Sequence, residues 1–159
     1  MRLLVRGTLG VLFLLGTAGV GYAGCDPQGT DKAAVDGARA QVQTDCTCDH
    51  TDPPAVNHGQ YVSCAAGVAN TRSGLDPSDP NFLPKNCKGA VKKCAAKSTC
   101  GKGSTAVTCC TLKSDGVTIK CKTKKDSAHC PTDKGAVVGV CASCCDACPA
   151  PGSGPTCPS

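Results

Sequence analysis

Along this chain, apolar positions recur at helical spacing in several stretches and switch to β-branched alternation in one. In TDKAAVDGARAQVQTDC, Val35, Ala38, Val42 and Cys46 fall near one helical face, with Thr30 or Asp31 placed to cap it. Gly37 works against this helix, since glycine gives up more backbone freedom on folding than any other residue. NHGQYVSCAAGVAN carries firmer signals. Asn57 stands at the cap, Gln60 three residues on can reach back as in a capping box, and Tyr61, Cys64, Ala65 and Val68 share a stripe. A third predicted helix, CKGAVKKCAAKSTCG, aligns Cys87, Val91, Cys94, Ala95 and Ser98, with Gly101 as its stop. Lys88, Lys92, Lys93 and Lys97 occupy the rest of its surface. Such lysines read as a solvated face ahead of an anion-binding patch.

The connections are marked by proline. CTCDHTDPPAV is a loop because Pro53 and Pro54 oppose helix continuation. TRSGLDPSDPNFLPKN, with Pro77, Pro80 and Pro84, is a long ordered loop anchored by Phe82 and Leu83. STAVTCCTLKSDGVTIKCKTKK predicts a β-hairpin with strands at about 105–113 and 117–123 around Ser114-Asp115-Gly116. A three-residue loop sets Cys109 opposite Cys121, whereas a two-residue Asp-Gly turn sets Cys110 there. Either way, Cys109 and Cys110 face opposite sides and serve different partners.

The C-terminal stretch contains CASCCDAC. At 100° per residue, Val137, Val138, Cys141, Cys144, Cys145 and Cys148 fall within an arc of about 100°, which predicts a fourth helix with an inward stripe of sulfur. Gly139 and the β-branched valines oppose it, and a strand running into a knotted turn is the alternative. Residues 149–159 form a Pro/Gly-rich tail tied down by Cys157.

The first 23 residues have the layout of a signal peptide: Arg2 and Arg6, an apolar run from Leu9 to Leu15, then small residues. A membrane span needs about 20 apolar residues, and Gly16, Thr17, Gly19 and Gly21 dilute this run early. Cleavage after Ala23 leaves all sixteen cysteines, an even set. Tyr22-Ala23-Gly24-Cys25 also resembles a lipobox, and acylation of Cys25 would anchor the chain to the envelope. That route strands one thiol and places Tyr22 where leucine is usual, so a free secreted or periplasmic protein is expected.

Composition changes the picture next. Cysteine makes up about 12% of the chain after the signal, above the level at which an exported protein reads as a disulfide scaffold. Tyr61 and Phe82 are the only aromatic residues left after the signal. The expected fold is therefore a small disulfide-rich α+β domain over residues 24–148, with three or four short helices, one β-hairpin and little aromatic core. Loss of Arg2 and Arg6 lowers the formal charge from +5 to +3, too mild to suggest nucleic acid. All twelve acidic residues are Asp, which excludes a catalytic Glu and the closing Glu of an EF-hand loop.

The candidate chemistry lies in cysteine and histidine. Cys141, Cys144, Cys145 and Cys148 have CxxC spacings, and Cys46 and Cys48 stand near His50 and His58, so two thiolate or thiolate-imidazole zinc sites are the metal-binding alternative. Metals need thiolates, however, and an exported chain with an even cysteine count meets oxidising machinery first. A redox CxxC needs a helix N-terminus, while Pro149 puts this cluster at the end of any helix. Haem attachment needs a histidine directly after CxxC, and none is present. Disulfides are thus expected at Cys25, Cys46, Cys48, Cys64, Cys87, Cys94, Cys100, Cys109, Cys110, Cys121, Cys130, Cys141, Cys144, Cys145, Cys148 and Cys157.

Asp49-His50 with Asp52 raises a second alternative, a small secreted hydrolase. The size and bridging resemble secreted phospholipases A2, but Cys109-Cys110 is not followed by the His-Asp pair of that family. No GxSxG, HExxH or P-loop pattern occurs either. The blocks CTCDH, NHGQYVSCAAGVAN, KCAAKSTCGK and VTCC, spanning about residues 46 to 110, resemble blocks of small exported cysteine-rich proteins of environmental bacteria. That group has no activity attached, so the resemblance implies no catalytic or cofactor residue. The expected role is non-enzymatic: binding an unidentified protein or envelope polymer, or forming part of the cell exterior. Lys120, Lys122, Lys124 and Lys125 are the densest basic run for an anionic polymer.

Overall fold

A computed structural model describes residues 24–112, 119–139 and 141–146. The expectations for the signal segment 1–23, the hairpin tip, Cys148 and the tail with Cys157 lie outside the described residues. Helices α1 (Lys32–Asp45), α2 (His58–Ser73) and α3 (Lys88–Ala96) precede strands β1 (Val107–Leu112), β2 (Ile119–Lys124) and β3 (Ala136–Val138). Among the described residues no helix is long and apolar enough to cross a membrane.

α1 buries Val35, Ala38, Val42 and, just past its end, Cys46, the face its sequence predicts. Its N-terminus differs from expectation. Asp31 occupies the cap position, but its carboxylate accepts from the backbone N–H of Asp26 at 2.9 Å instead of capping the helix. α2 opens on the expected capping box: Asn57 Oδ1 accepts from Gln60 N–H at 3.0 Å, and Gln60 Oε1 accepts from Asn57 N–H at 2.9 Å. It continues through Thr71, Arg72 and Ser73, which the sequence assigned to the following loop.

Arg72 explains that extension. Its guanidinium is buried and donates to Asn81 O at 2.7 Å, Gly37 O at 3.0 Å and Gln41 Oε1 at 3.1 Å, joining α1, α2 and the loop between α2 and α3. A Cβ at position 37 would stand 3.2 Å from the guanidinium, so the glycine that weakens α1 locally makes room for this cation. In that loop Leu83 is fully buried and donates its N–H to Arg72 O, while Phe82 is only half-buried.

A 3-10 turn at Lys85–Cys87 leads into α3, which buries Val91 and Ala95, with Cys87 and Ser98 on either side. The helix stops at Ala96, five residues before Gly101. Gly101 has another task. It has φ +69°, and a Cβ there would lie 2.3 Å from His58 N, so glycine is required for the close approach to the start of α2.

The three strands form an antiparallel sheet in the order β2-β1-β3. Cys110 pairs with Cys121 and Leu112 with Ile119, the register that a two-residue Asp-Gly turn sets and not that of a three-residue loop over Ser114-Asp115-Gly116. The fourth helix is replaced by β3, in which Val137 pairs with Cys110, followed by turns and a bridge between Ser143 and Ser98. The physical reason is directional. Cys144 bonds to Cys121 and Cys145 to Cys94, which lie in different elements, so neighbouring side chains diverge as in extended chain. Among the described residues the fold is a small α+β arrangement with three α-helices and a three-stranded sheet. Tyr61 is the buried aromatic residue among those described.

Candidate functional site

The covalent framework falls into three groups. Cys25–Cys87, Cys46–Cys64 and Cys48–Cys100 cross-link the helical half and span 62, 18 and 52 residues. Cys109–Cys130 closes the sheet half over 21 residues. Cys94–Cys145 and Cys121–Cys144 bring one bridge from each half to the segment 141–146. Cys110 and Cys141 are also disulfide-bonded, so every described cysteine is oxidised.

That short segment is the seam of the molecule. Thr108 Oγ1 donates to Cys141 O at 2.9 Å from the sheet side, and Thr99 N–H donates to Ala142 O at 2.8 Å from the helical side. Ser143 Oγ donates to Cys94 O at 3.0 Å, Cys144 N–H to Lys97 O at 3.1 Å, and Arg39 forms an ion pair with Asp146. A small pocket opens here between Arg39, Val42, Tyr61, Cys94, Ser143 and Asp146. Burial raises the Tyr61 hydroxyl above its ordinary pKa, partly countered by Arg39. The geometry is that of a polar joint.

A second concentration of polar groups lies between α1 and α2. The Asp49 carboxylate accepts from Thr51 N–H and Oγ1, both at 2.8 Å, and from the N–H groups of Ala55 at 2.6 Å and Val56 at 3.1 Å. These bonds, led by that from the Thr51 backbone, lower its pKa to about 2. Asp49 O accepts from Gly101 N–H at 2.8 Å and Gly101 O from His58 N–H at 2.9 Å, locking the loop to the residues around Cys100. His50 Nε2 lies 3.2 Å from Cys48 Sγ. The His58 ring is turned to backbone, with Nδ1 2.8 Å from Cys100 O and Nε2 3.2 Å from Ala96 O.

The metal alternative is therefore redrawn. Cys46 and Cys48 are bonded to Cys64 and Cys100, and Cys144 and Cys145 to Cys121 and Cys94, while Cys148 of the second expected set lies outside the described residues. What converges is Cys48, His50 and Cys100, whose ligand atoms all lie within 4.8 Å of one another. Cys25, Asp31 and Cys87 form a comparable group. Cys100 was not in the sequence-level set because it stands 52 residues from Cys48. No local spacing could report it.

Sequence reasoning also passed over Asp126 and His129. Asp126 Oδ1 caps a 3-10 turn, accepting from His129 N–H at 3.1 Å, and lies 2.6 Å from His129 Nδ1. That contact lowers the Asp126 pKa and orients the imidazole. The available signal was the three-residue spacing of Asp-Ser-Ala-His. Lys120, Lys122 and Lys124 alternate along β2, an edge strand, and Lys125 follows; Lys120, Lys122 and Lys125 are exposed. Lysines at an edge discourage strand-to-strand pairing as well as offering positive charge. No family model, curated protein or solved structure matches this chain.

Proposed function

We propose that this chain is an exported, disulfide-stabilised, non-enzymatic binding or structural protein of the cell exterior. The observation carrying this reading is that all described cysteines are oxidised, in bridges that cross-link both buried clusters. Such a framework suits an oxidising compartment. The surface that suits a partner is the edge strand β2, where Lys120, Lys122 and Lys125 are exposed and an anionic envelope polymer would meet several cations in a row. Conversion of Lys120, Lys122, Lys124 and Lys125 to Ala is expected to abolish retention of the protein on isolated envelope at low salt, with the disulfides unchanged. Unchanged retention would remove the polymer from the proposal. Intact mass before and after reduction, on protein from its native compartment, tests the framework itself. All sixteen cysteines in bridges are expected, and several free thiols holding zinc would overturn it.

A further inference from the structure

We propose that Cys48, Cys100 and His50 form a redox-gated site for a thiophilic cation such as zinc, closed while the Cys48–Cys100 disulfide is intact and opened when a dithiol reduces it. The inference goes beyond the scaffold reading and does not rest on it. It starts from three observations. The ligand atoms lie within 4.8 Å of one another, and His50 Nε2 is already 3.2 Å from Cys48 Sγ. Cys48 and His50 are exposed, while Cys100 is buried, so an attacking thiolate reaches the bond from the Cys48 side. The third concerns the frame around the bond.

That frame has holds besides the disulfide. Gly101 N–H donates to Asp49 O, His58 N–H donates to Gly101 O, and His58 Nδ1 engages Cys100 O. The neighbouring Cys46–Cys64 bridge fixes the chain two residues before Cys48. Opening Cys48–Cys100 therefore frees two sulfurs without freeing the backbone that carries them. Donors on one tetrahedral zinc stand about 3.5–4 Å apart, given Zn–S near 2.3 Å and Zn–N near 2.0–2.1 Å. Only a small outward shift of the exposed Cys48 side chain is needed. Two thiolates and an imidazole with a fourth position open to solvent are a set that zinc accepts.

The chemistry balances as follows. The dithiol passes two electrons and two protons to the bridge, becoming a cyclic disulfide and leaving Cys48 and Cys100 as thiols. Zinc then replaces the two thiol protons; a small-molecule disulfide that takes two electrons from the thiolate pair, and two protons from solvent to become two thiols, re-forms Cys48–Cys100 and releases the zinc ion. The Cys25, Asp31 and Cys87 group serves as an internal contrast. Its Cys25 and Asp31 are half-buried where Cys48 and His50 are exposed, and its Asp31 carboxylate already accepts from Asp26 N–H.

The test adds limiting dithiol to the oxidised chain without metal, maps the opened pair by thiol alkylation and mass spectrometry, then titrates zinc and, as a spectroscopic probe, cobalt. Cys48–Cys100 is expected to open first, followed by binding of one zinc per chain and a thiolate-to-cobalt charge-transfer band. His50→Ala is expected to weaken binding at least tenfold, because loss even of a group supporting a ligand costs about 10–100-fold. Cys48→Ser with Cys100→Ser is expected to abolish binding while keeping the helical circular dichroism. Prior opening of another pair, loss of the helical signal on opening this one, absence of zinc binding, or equal affinity in His50→Ala would each overturn the proposal.

Discussion

Residues 32–100 gather Val35, Val42, Tyr61, Leu83 and Val91 into one buried cluster, with Cys46, Cys87 and Cys100 among them, whereas the sheet gathers Cys109, Cys130 and Ala136, with Val138 partly covered. Among the described residues, bridges in the helical half are added to a core, while in the sheet half one bridge supplies two of the three clustered buried residues. A disulfide stabilises by restricting the unfolded chain, with the size set mainly by the loop it closes. Apolar burial acts instead on the folded state and grows with the area removed from water. The same covalent bond should therefore have different local consequences in the two halves.

Removing Cys109–Cys130 by double substitution to Ala is expected to give the largest effect. Chain entropy alone costs about 3 kcal/mol for a loop near 20 residues, and the change also removes two of the three buried side chains of that cluster. Amide exchange is expected to show loss of protection throughout β1, β2 and β3 with α1–α3 still protected. The matched experiment, Cys46→Ala with Cys64→Ala over 18 residues, should leave the helices formed. Equal collapse in the two variants would erase the distinction.

Arg72→Ala probes the helical half from the polar side. It leaves Gly37 O, Asn81 O and Gln41 Oε1 without their charged donor. A cost of about 2–3 kcal/mol is expected in denaturant unfolding, centred on α1, α2 and the loop after α2, which Arg72 joins. A sheet melting with the helices would show that the seam couples the halves more strongly than their separate cores imply.

The smallest expected effect is local and pH-dependent. Asp49 has its pKa lowered from 3.8 to about 2. Its unfolded form takes up a proton first as pH falls, so the contribution is fully present above about pH 4 and is lost toward pH 2. Amide exchange at Thr51, Ala55 and Val56, corrected for intrinsic rates, should accelerate across that window ahead of amides in β1. Unchanged protection down to pH 2 would show that the loop is held by its bridges and not by the carboxylate.

What the chain reveals in advance follows the range of the forces involved. The capping box at Asn57 and Gln60 and the buried stripes through Val35 and Val91 rest on neighbours within a few turns, and they are legible. Gly37 looks like a defect until Arg72, 35 residues away, is placed against it. The hairpin register depends on the turn, and the three-residue loop suggested by Gly116 sets it one residue away from the register formed. The C-terminal stripe misleads because cysteine has two kinds of periodicity: one for burial, which suggested a helix, and one for partners, which pulled Cys144 and Cys145 apart. The converging Cys48, His50 and Cys100 set was half visible, since the local CTCDH block supplies two members and a distant residue supplies the third.

The seam also imposes an order on biogenesis. Under the export proposed above, a chain entering an oxidising space from its N-terminus presents Cys46 and Cys64 together early, so that pair can close while most of the protein is still absent. Cys94 must instead stay unspent until Cys145 arrives 51 residues later, although Cys100 and Cys109 come into view first as tempting wrong partners. Correct maturation thus requires either patience or repair at Cys94, and a thiol-disulfide isomerase is the natural supplier of the second. Cys144 and Cys145 act as a latch between the halves: once they are seated on Cys121 and Cys94, the two halves are held against each other through the segment 141–146.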